Sequence, residues 1–178
     1  MTFSVSSPIL ELFPRIGHVV PEGSISQSSC RRYVGVLTAL LLLFCLRVIA
    51  QLLQSWSPVA FLPPFAAWES GAMPYPLLVI SQVVIIAVCA RVIWRLHRGV
   101  AVPSVKTGKA LLVFGGIYGG LMCARLIIGL TVATDHFWLS ARLPTAFHFV
   151  LAGFVLVYGW FHCKASVAAD PQRVGKIA

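Results

Sequence analysis

Four long apolar segments dominate this chain, and each is long enough to cross a membrane as a helix. They run over Tyr33–Gln54, Pro76–Leu96, Lys109–Ala133 and Leu143–His162. A hydrocarbon core roughly 30 Å thick takes about 20 helical residues to cross. Lipid cannot satisfy free backbone groups, so spanning segments must be closed helices, and these runs lack the alternation of barrel strands. The pattern predicts an all-α, multi-pass membrane protein folded as an antiparallel four-helix bundle.

Composition and charge agree with a lipid environment. Hydrophobic residues make up 58% of the chain and charged residues 11%, whereas soluble domains carry about 25% charged residues. The formal net charge is +9, but the basic residues flank apolar segments and form no separate basic domain, so no nucleic-acid partner is expected. The five cysteines form no CxxC pair, which argues against thiol–disulfide exchange.

The flanking charges orient the spans. Basic residues precede the first span, crowd the second connection and follow the fourth span, while residues 55–75 contain no Lys or Arg. The positive-inside rule then places both termini in the cytoplasm. Residues 1–32 are expected to form an irregular cytoplasmic arm, residues 33–163 the membrane domain and residues 164–178 a cytoplasmic tail. A bacterial cytoplasmic membrane is the expected location.

The connection over residues 55–75 alternates aromatic residues with prolines. Prolines prevent a regular helix, and aromatic side chains favour the membrane–water boundary. The connection is therefore expected either to anchor at the outer surface or to fold over the bundle as a lid.

Glycines give the third span a smooth face. Gly115, Gly116, Gly119 and Gly120 form two overlapping GxxxG pairs, which let another helix approach closely. That helix could belong to this chain, to a partner membrane protein or to a second copy in a homo-oligomer. Tyr118 and Arg125 fall nearly opposite this face on a helical wheel, so the third helix is expected to be sandwiched between neighbours.

Most polar side chains within the spans fall in the outer half of the predicted bundle. Arg47, Gln51 and Gln54 form one stripe of the first helix, and acidic residues occur in the outer connections. The candidate ligand-binding residues in this region are Arg47, Gln51, Glu69, Gln82, Arg125 and His148.

Arginine is in excess over acid in that region. The region contains three arginines, Arg47, Arg125 and Arg142, but only two acidic residues, Glu69 and Asp135. Intramembrane arginines usually point inward and find partners. Guanidinium groups suit bidentate contacts with carboxylate or phosphate. The excess predicts a pocket that opens to the outer face and holds an anionic group. The alternatives are arginines that snorkel to lipid phosphates and arginines that form structural ion pairs.

The function hypothesis that follows is a non-enzymatic accessory component, or one that binds membrane lipid or another anionic ligand. The chain contains no Gly-rich phosphate loop, HExxH or nucleophile motif, so no catalytic residue is assigned. An alternative is a small enzyme or transporter that acts on an amphipathic anion, with Arg47 and Arg125 binding charge and His148 exchanging protons.

A second alternative is a haem b electron-transfer protein. His148 and His162 lie on one helix face, about 21 Å apart along the axis, with His136 and His97 near the same two levels. This spacing resembles the ligand helix of dihaem membrane cytochromes. The resemblance implies these histidines as axial ligands, with Ala152 and Gly159 leaving room for the porphyrin.

Overall fold

The computed structural model of the chain describes residues 27–57, 59–68, 74–131 and 142–169. Most of these residues belong to four helices: α1 (Gln27–Trp56), α2 (Tyr75–His97), α3 (Val105–Thr131) and α4 (Arg142–Ala169). All four are long and apolar enough to cross a membrane, which confirms the predicted all-α, multi-pass architecture. The rest of the predicted arm and tail, residues 1–26 and 170–178, lies outside the described residues.

The helices extend beyond the apolar segments that predicted them. α1 begins at Gln27 rather than Tyr33, and α4 continues to Ala169 rather than ending at His162. A helix satisfies its own backbone hydrogen bonds, so it need not stop where the hydrocarbon ends. Residues 27–32, which were expected to belong to the arm, are helical in α1.

Proline and glycine mark several helix ends. Pro76 and Pro144 lie in the first turns of α2 and α4, where the missing N–H leaves no hydrogen bond unmade. Gly99 follows α2 with φ +68°, a left-handed conformation that favours glycine and reverses the chain.

α1 contacts both α2 and α4, and α3 packs on α4. Neighbouring helices are antiparallel. We call the end where α2 and α4 begin the Trp68 end, and the opposite end the Arg98 end. A hydrophobic core fills the half nearer the Arg98 end, where Leu37 and Leu96 are almost fully enclosed beside Phe154 and Phe161. The remaining half holds most of the buried polar side chains.

Glycines bring α3 and α4 into close backbone contact. A Cβ added at Gly108 would lie 3.0 Å from the Gly159 carbonyl oxygen, and one at Gly119 would lie 3.6 Å from the Ala152 Cβ. Gly116 and Gly120 instead have no atom within 4 Å of an added Cβ, and both are exposed. Only part of the glycine face predicted from the sequence therefore meets α4, and association with another membrane helix stays a prediction for the exposed part.

Within the described residues, α3 has extended contact with α4 and with no other helix. Tyr118 contacts α4 on the same side as Gly115 and Gly119, so its predicted position opposite the glycine face was wrong. Sandwiching of α3 by a helix from another chain stays a prediction.

The connection after α1 is partly exposed and partly packed on the bundle. Trp56 and Phe61 are 92% and 85% exposed, and their role as an aromatic anchor at a membrane surface stays a prediction. A 3-10 turn at Phe65–Ala67 contacts both α1 and α4, and Trp68 after it is buried, with its Nε1 donating to the Pro63 carbonyl at 2.9 Å. This part of the connection folds over the bundle.

Candidate functional site

A cavity of about 210 Å³ lies between α1, α2 and α4 in the half of the bundle nearer the Trp68 end. α2 and α4 share no extended contact in the described residues, and the cavity occupies the gap between them. Its walls are mainly apolar: Phe44, Leu78, Ile85, Pro144, Phe147 and Leu151. Its other lining residues are Arg47, Trp68, Ser81, Gln82 and His148.

Arg47 brings a positive charge to this apolar cavity. Its side chain is only 7% exposed, and its Nη2 donates to the Trp68 carbonyl at 2.9 Å. The guanidinium carbon lies 5.6 Å from the centre of the Phe147 ring, and Nε is buried without an acceptor. Arg47 therefore points into the bundle, which argues against snorkelling toward lipid headgroups.

No carboxylate lies beside Arg47 in the described part of the chain. Every acidic residue of this protein falls outside the described residues: Glu11, Glu22, Glu69, Asp135 and Asp170. A carbonyl oxygen and an aromatic face stabilise a guanidinium but carry no formal charge. The contacts of Arg47 with the described residues therefore provide no formal negative charge.

Gln51 and Gln82 join α1 to α2 next to the cavity. They are 1% and 3% exposed, and the Gln82 Nε2 donates to the Gln51 Oε1 at 3.1 Å. The Gln51 Nε2 and the Gln82 Oε1 have no hydrogen-bond partner. Exchanging oxygen and nitrogen in both amides would preserve this result, because one donor and one acceptor would again remain unmatched.

His148 connects the cavity to α3. It lines the cavity from α4, and its Nδ1 shares a hydrogen bond with the Tyr118 hydroxyl. Arg125 is buried on α3 and acts electrostatically on both Tyr118 and His148, and the charge of Arg47 also reaches His148. The imidazole of His148 is therefore within electrostatic range of two guanidinium groups.

The structure brings together part of the predicted ligand set. Arg47, Gln82 and His148 line one cavity, and Gln51 adjoins it through its bond to Gln82. Arg125 belongs to α3, which contributes no residue to the lining of the cavity. Glu69 lies outside the described residues.

Gln54 serves the fold rather than the cavity. It belongs to the same buried stripe as Arg47, but its Oε1 accepts a hydrogen bond from the Val59 N–H at 3.0 Å. That bond ties the connection to the end of α1 and satisfies a backbone donor at the point where the helix stops.

Sequence reasoning missed the contribution of Trp68 and Phe147 to the site. A backbone carbonyl such as that of Trp68 carries no sequence signal as an acceptor. The proline-rich lid was the available clue, because a chain folded over a bundle must direct some of its carbonyl groups inward.

The described residues do not fit the haem hypothesis. The space beside Ala152 and Gly159 is filled by α3, whose Leu111 and Gly108 would lie within 3.1 Å of a Cβ added at Gly159. The His162 Nδ1 accepts a hydrogen bond from the Ser104 N–H at 3.2 Å, so the neutral ring carries its proton on Nε2. His97 is exposed at the end of α2, and His136 lies outside the described residues.

No protein-family model matches this chain, and no curated protein or solved structure matches it either. Function is therefore inferred from the geometry of the cavity.

Proposed function

We propose that this protein is a non-enzymatic, membrane-embedded binding component that holds the anionic group of a lipid-like molecule in the cavity between α1, α2 and α4. The observation that carries the proposal is the buried Arg47 guanidinium, which lines an otherwise mostly apolar cavity and whose Nε has no hydrogen-bond acceptor among the described residues.

The charge of Arg47 supports an anionic ligand. An arginine in a membrane costs about 2.5–3.5 kcal/mol on insertion scales, and such residues usually have a partner. The structure gives Arg47 one hydrogen bond to a neutral carbonyl, although a guanidinium has five N–H donors. A phosphate or carboxylate at the cavity would supply the missing charge and accept further hydrogen bonds.

The shape of the cavity supports an amphipathic ligand. At about 210 Å³ it is smaller than the roughly 300–1,000 Å³ of typical small-molecule pockets, so it suits a headgroup-sized part of a larger molecule. Trp68 lines it from the connection, and α2 and α4 share no extended contact beside it in the described residues. We infer that the ligand reaches Arg47 sideways from the bilayer, with its apolar part remaining between α2 and α4.

Glu69 and Arg125 are secondary members of this proposal. Glu69 follows Trp68 directly in the sequence and is a predicted contact for the ligand. Arg125 would contribute positive potential through its position beside His148.

The test is binding of a long-chain alkyl phosphate to the purified protein in a neutral detergent, with the corresponding alkyl alcohol as an uncharged probe. Charged hydrogen bonds contribute roughly 1.5–3 kcal/mol, and about 1.4 kcal/mol is tenfold in affinity. Arg47→Gln should therefore bind the phosphate roughly tenfold to a hundredfold more weakly. Arg32→Gln, an exposed residue of the same helix, should bind it as tightly as the unmodified protein.

Two results would contradict this function. Equal affinity of the unmodified protein for the phosphate and the alcohol would show that the cavity does not select an anion. Equal losses in Arg47→Gln and Arg32→Gln would show that the positive charge acts from the surface.

The contact between His148 and Tyr118 favours a second candidate, a transporter that couples the anion to a proton. His148 lines the cavity, and an imidazole exchanges protons near neutral pH. In vesicles, a transporter would take up the alkyl phosphate faster under an imposed pH gradient, and His148→Gln would abolish that dependence while still binding the ligand. Uptake that ignores the gradient would exclude this candidate.

A further inference from the structure

A second polar site lies at the Arg98 end, away from the cavity and independent of the function proposed for it. α2 ends in a Schellman motif: the Gly99 N–H donates to the Leu96 carbonyl at 3.1 Å, and the Val100 N–H donates to the Arg95 carbonyl at 3.0 Å. The positive φ of Gly99 turns the chain back on itself. Val100 is thereby brought against the last turn of α2.

This turn builds an open groove of about 610 Å³ whose lining residues are Arg91, Trp94, Arg95, Arg98 and Val100. The three arginines are four and three positions apart, so they project from one face of α2. Arg98 stacks on Trp94, with its guanidinium carbon 4.4 Å from the centre of the indole ring. The groove therefore has three positive charges, one of them held in place by an aromatic ring.

The position of the groove along α2 indicates which anions can reach it. α2 is a candidate span over Tyr75–His97, and Arg91 lies about 9 Å inside its end at 1.5 Å per residue. Arg91 is exposed, and a helix of this length that spans a bilayer places its last two turns near the boundary between hydrocarbon and headgroups. A guanidinium at this depth needs an anion, and lipid phosphates are the anions present there.

We propose that this groove binds the headgroup of an anionic phospholipid, with lipid phosphate held between the three guanidinium groups. Arginine presents paired N–H donors that match phosphate oxygens. Three such groups around one groove favour a lipid with two phosphates over a lipid with one, and either over a zwitterionic lipid. The exposed face of Trp94 provides an apolar wall for the glycerol and upper acyl region.

The experiment is native mass spectrometry of the full chain released from phosphatidylcholine nanodiscs that contain a minor fraction of cardiolipin, a lipid with two phosphates. The test variant combines Arg91→Gln, Arg95→Gln and Arg98→Gln. The control combines Arg31→Gln, Arg32→Gln and Lys109→Gln, which removes the same charge from exposed positions elsewhere at the Arg98 end. Because the proposal places direct guanidinium–phosphate hydrogen bonds only in the groove, the test variant should bind cardiolipin roughly 100-fold more weakly than the control variant.

A further variant alters the shape of the groove without changing its charge. Gly99→Val keeps every arginine but places a β-branched residue at a φ of +68°, which such residues rarely adopt. We expect cardiolipin binding to fall clearly below that of the control variant. Unchanged binding in Gly99→Val, or equal loss in the two charge variants, would overturn the proposal by showing that diffuse positive charge is sufficient.

Discussion

Arg47 shows how much of the site depends on one side chain whose partner is not visible in the sequence. Its apolar neighbours and its place in the stripe with Gln51 predicted an inward-facing arginine, and the structure buries it. Its acceptor, the Trp68 carbonyl, belongs to a backbone group, and any residue at that position would present the same oxygen. The charge could therefore be predicted, whereas its geometry required the fold.

The two glutamines give a prediction about stability. Gln82→Leu should destabilise the protein by roughly 1–2 kcal/mol, because it leaves the Gln51 amide buried with no partner. Gln51→Leu/Gln82→Leu removes both amides and should be nearly neutral, and more stable than either single variant. Free energies of unfolding in mixed detergent micelles would measure this non-additivity. Simple addition of the two single effects would show that the amides are not coupled.

The same double variant tests whether the buried amides of Gln51 and Gln82 take part in ligand binding. Two leucines of similar size would fill this α1–α2 contact without unmatched donors or acceptors. If the amides serve the ligand, the double variant should be as stable as the unmodified protein but should bind the alkyl phosphate more weakly. Full retention of binding would limit the pair to a structural role.

At the scale of helices, the α3–α4 contact depends on which glycines face the neighbour. Gly108→Ala would place its Cβ 2.9 Å from the Cys163 amide nitrogen and 3.0 Å from the Gly159 carbonyl oxygen. These are backbone atoms that cannot rotate away, so we expect a loss of roughly 1–3 kcal/mol in the free energy of unfolding.

Gly116→Ala is the matched control for this prediction. Its Cβ would meet nothing within 4 Å, and replacing glycine by alanine within a helix stabilises it by roughly 0.5–1 kcal/mol. The two alanine substitutions should therefore have opposite signs when unfolding is followed under identical detergent conditions. Destabilisation by Gly116→Ala together with a change in oligomeric state would instead place a second chain on that face.

Hydropathy predicted the helices themselves well, because span length is imposed by the thickness of the bilayer. Helix faces were harder to predict. The glycine pairs drew attention to Gly115 and Gly119, but the tightest contact lies at Gly108 and Gly159, where no GxxxG pair occurs. A glycine in a helix signals possible close approach, and only the partner helix decides which glycines are used.

At the scale of the whole molecule, the spatial order α2–α1–α4–α3 determines where the cavity can form. α1 contacts both α2 and α4, whereas α2 and α4 share no extended contact in the described residues, and the cavity lies among these three helices. Hydropathy gives no neighbour relations between spans, so the sequence predicted a polar region in one half of the bundle without separating Arg125 from Arg47. Whether a ligand enters from one leaflet or the other depends on orientation, which the charge pattern predicts.

Orientation leads to the last prediction. Basic residues cluster at the Arg98 end, whereas the connection over residues 55–75 has no Lys or Arg, so the Trp68 end should face away from the cytoplasm. With the native cysteines replaced by alanine, an impermeant maleimide should label Ser57→Cys in intact cells. It should label Lys106→Cys only after permeabilisation, since these two exposed positions lie at opposite ends of the bundle. The reverse pattern would contradict the predicted orientation, and it would move the Arg47 cavity to the cytoplasmic leaflet and the arginine groove to the outer one. The contacts that form each site do not depend on the orientation of the protein. Both binding proposals would therefore still stand after that reversal, but the anionic lipids available to the two sites would be exchanged.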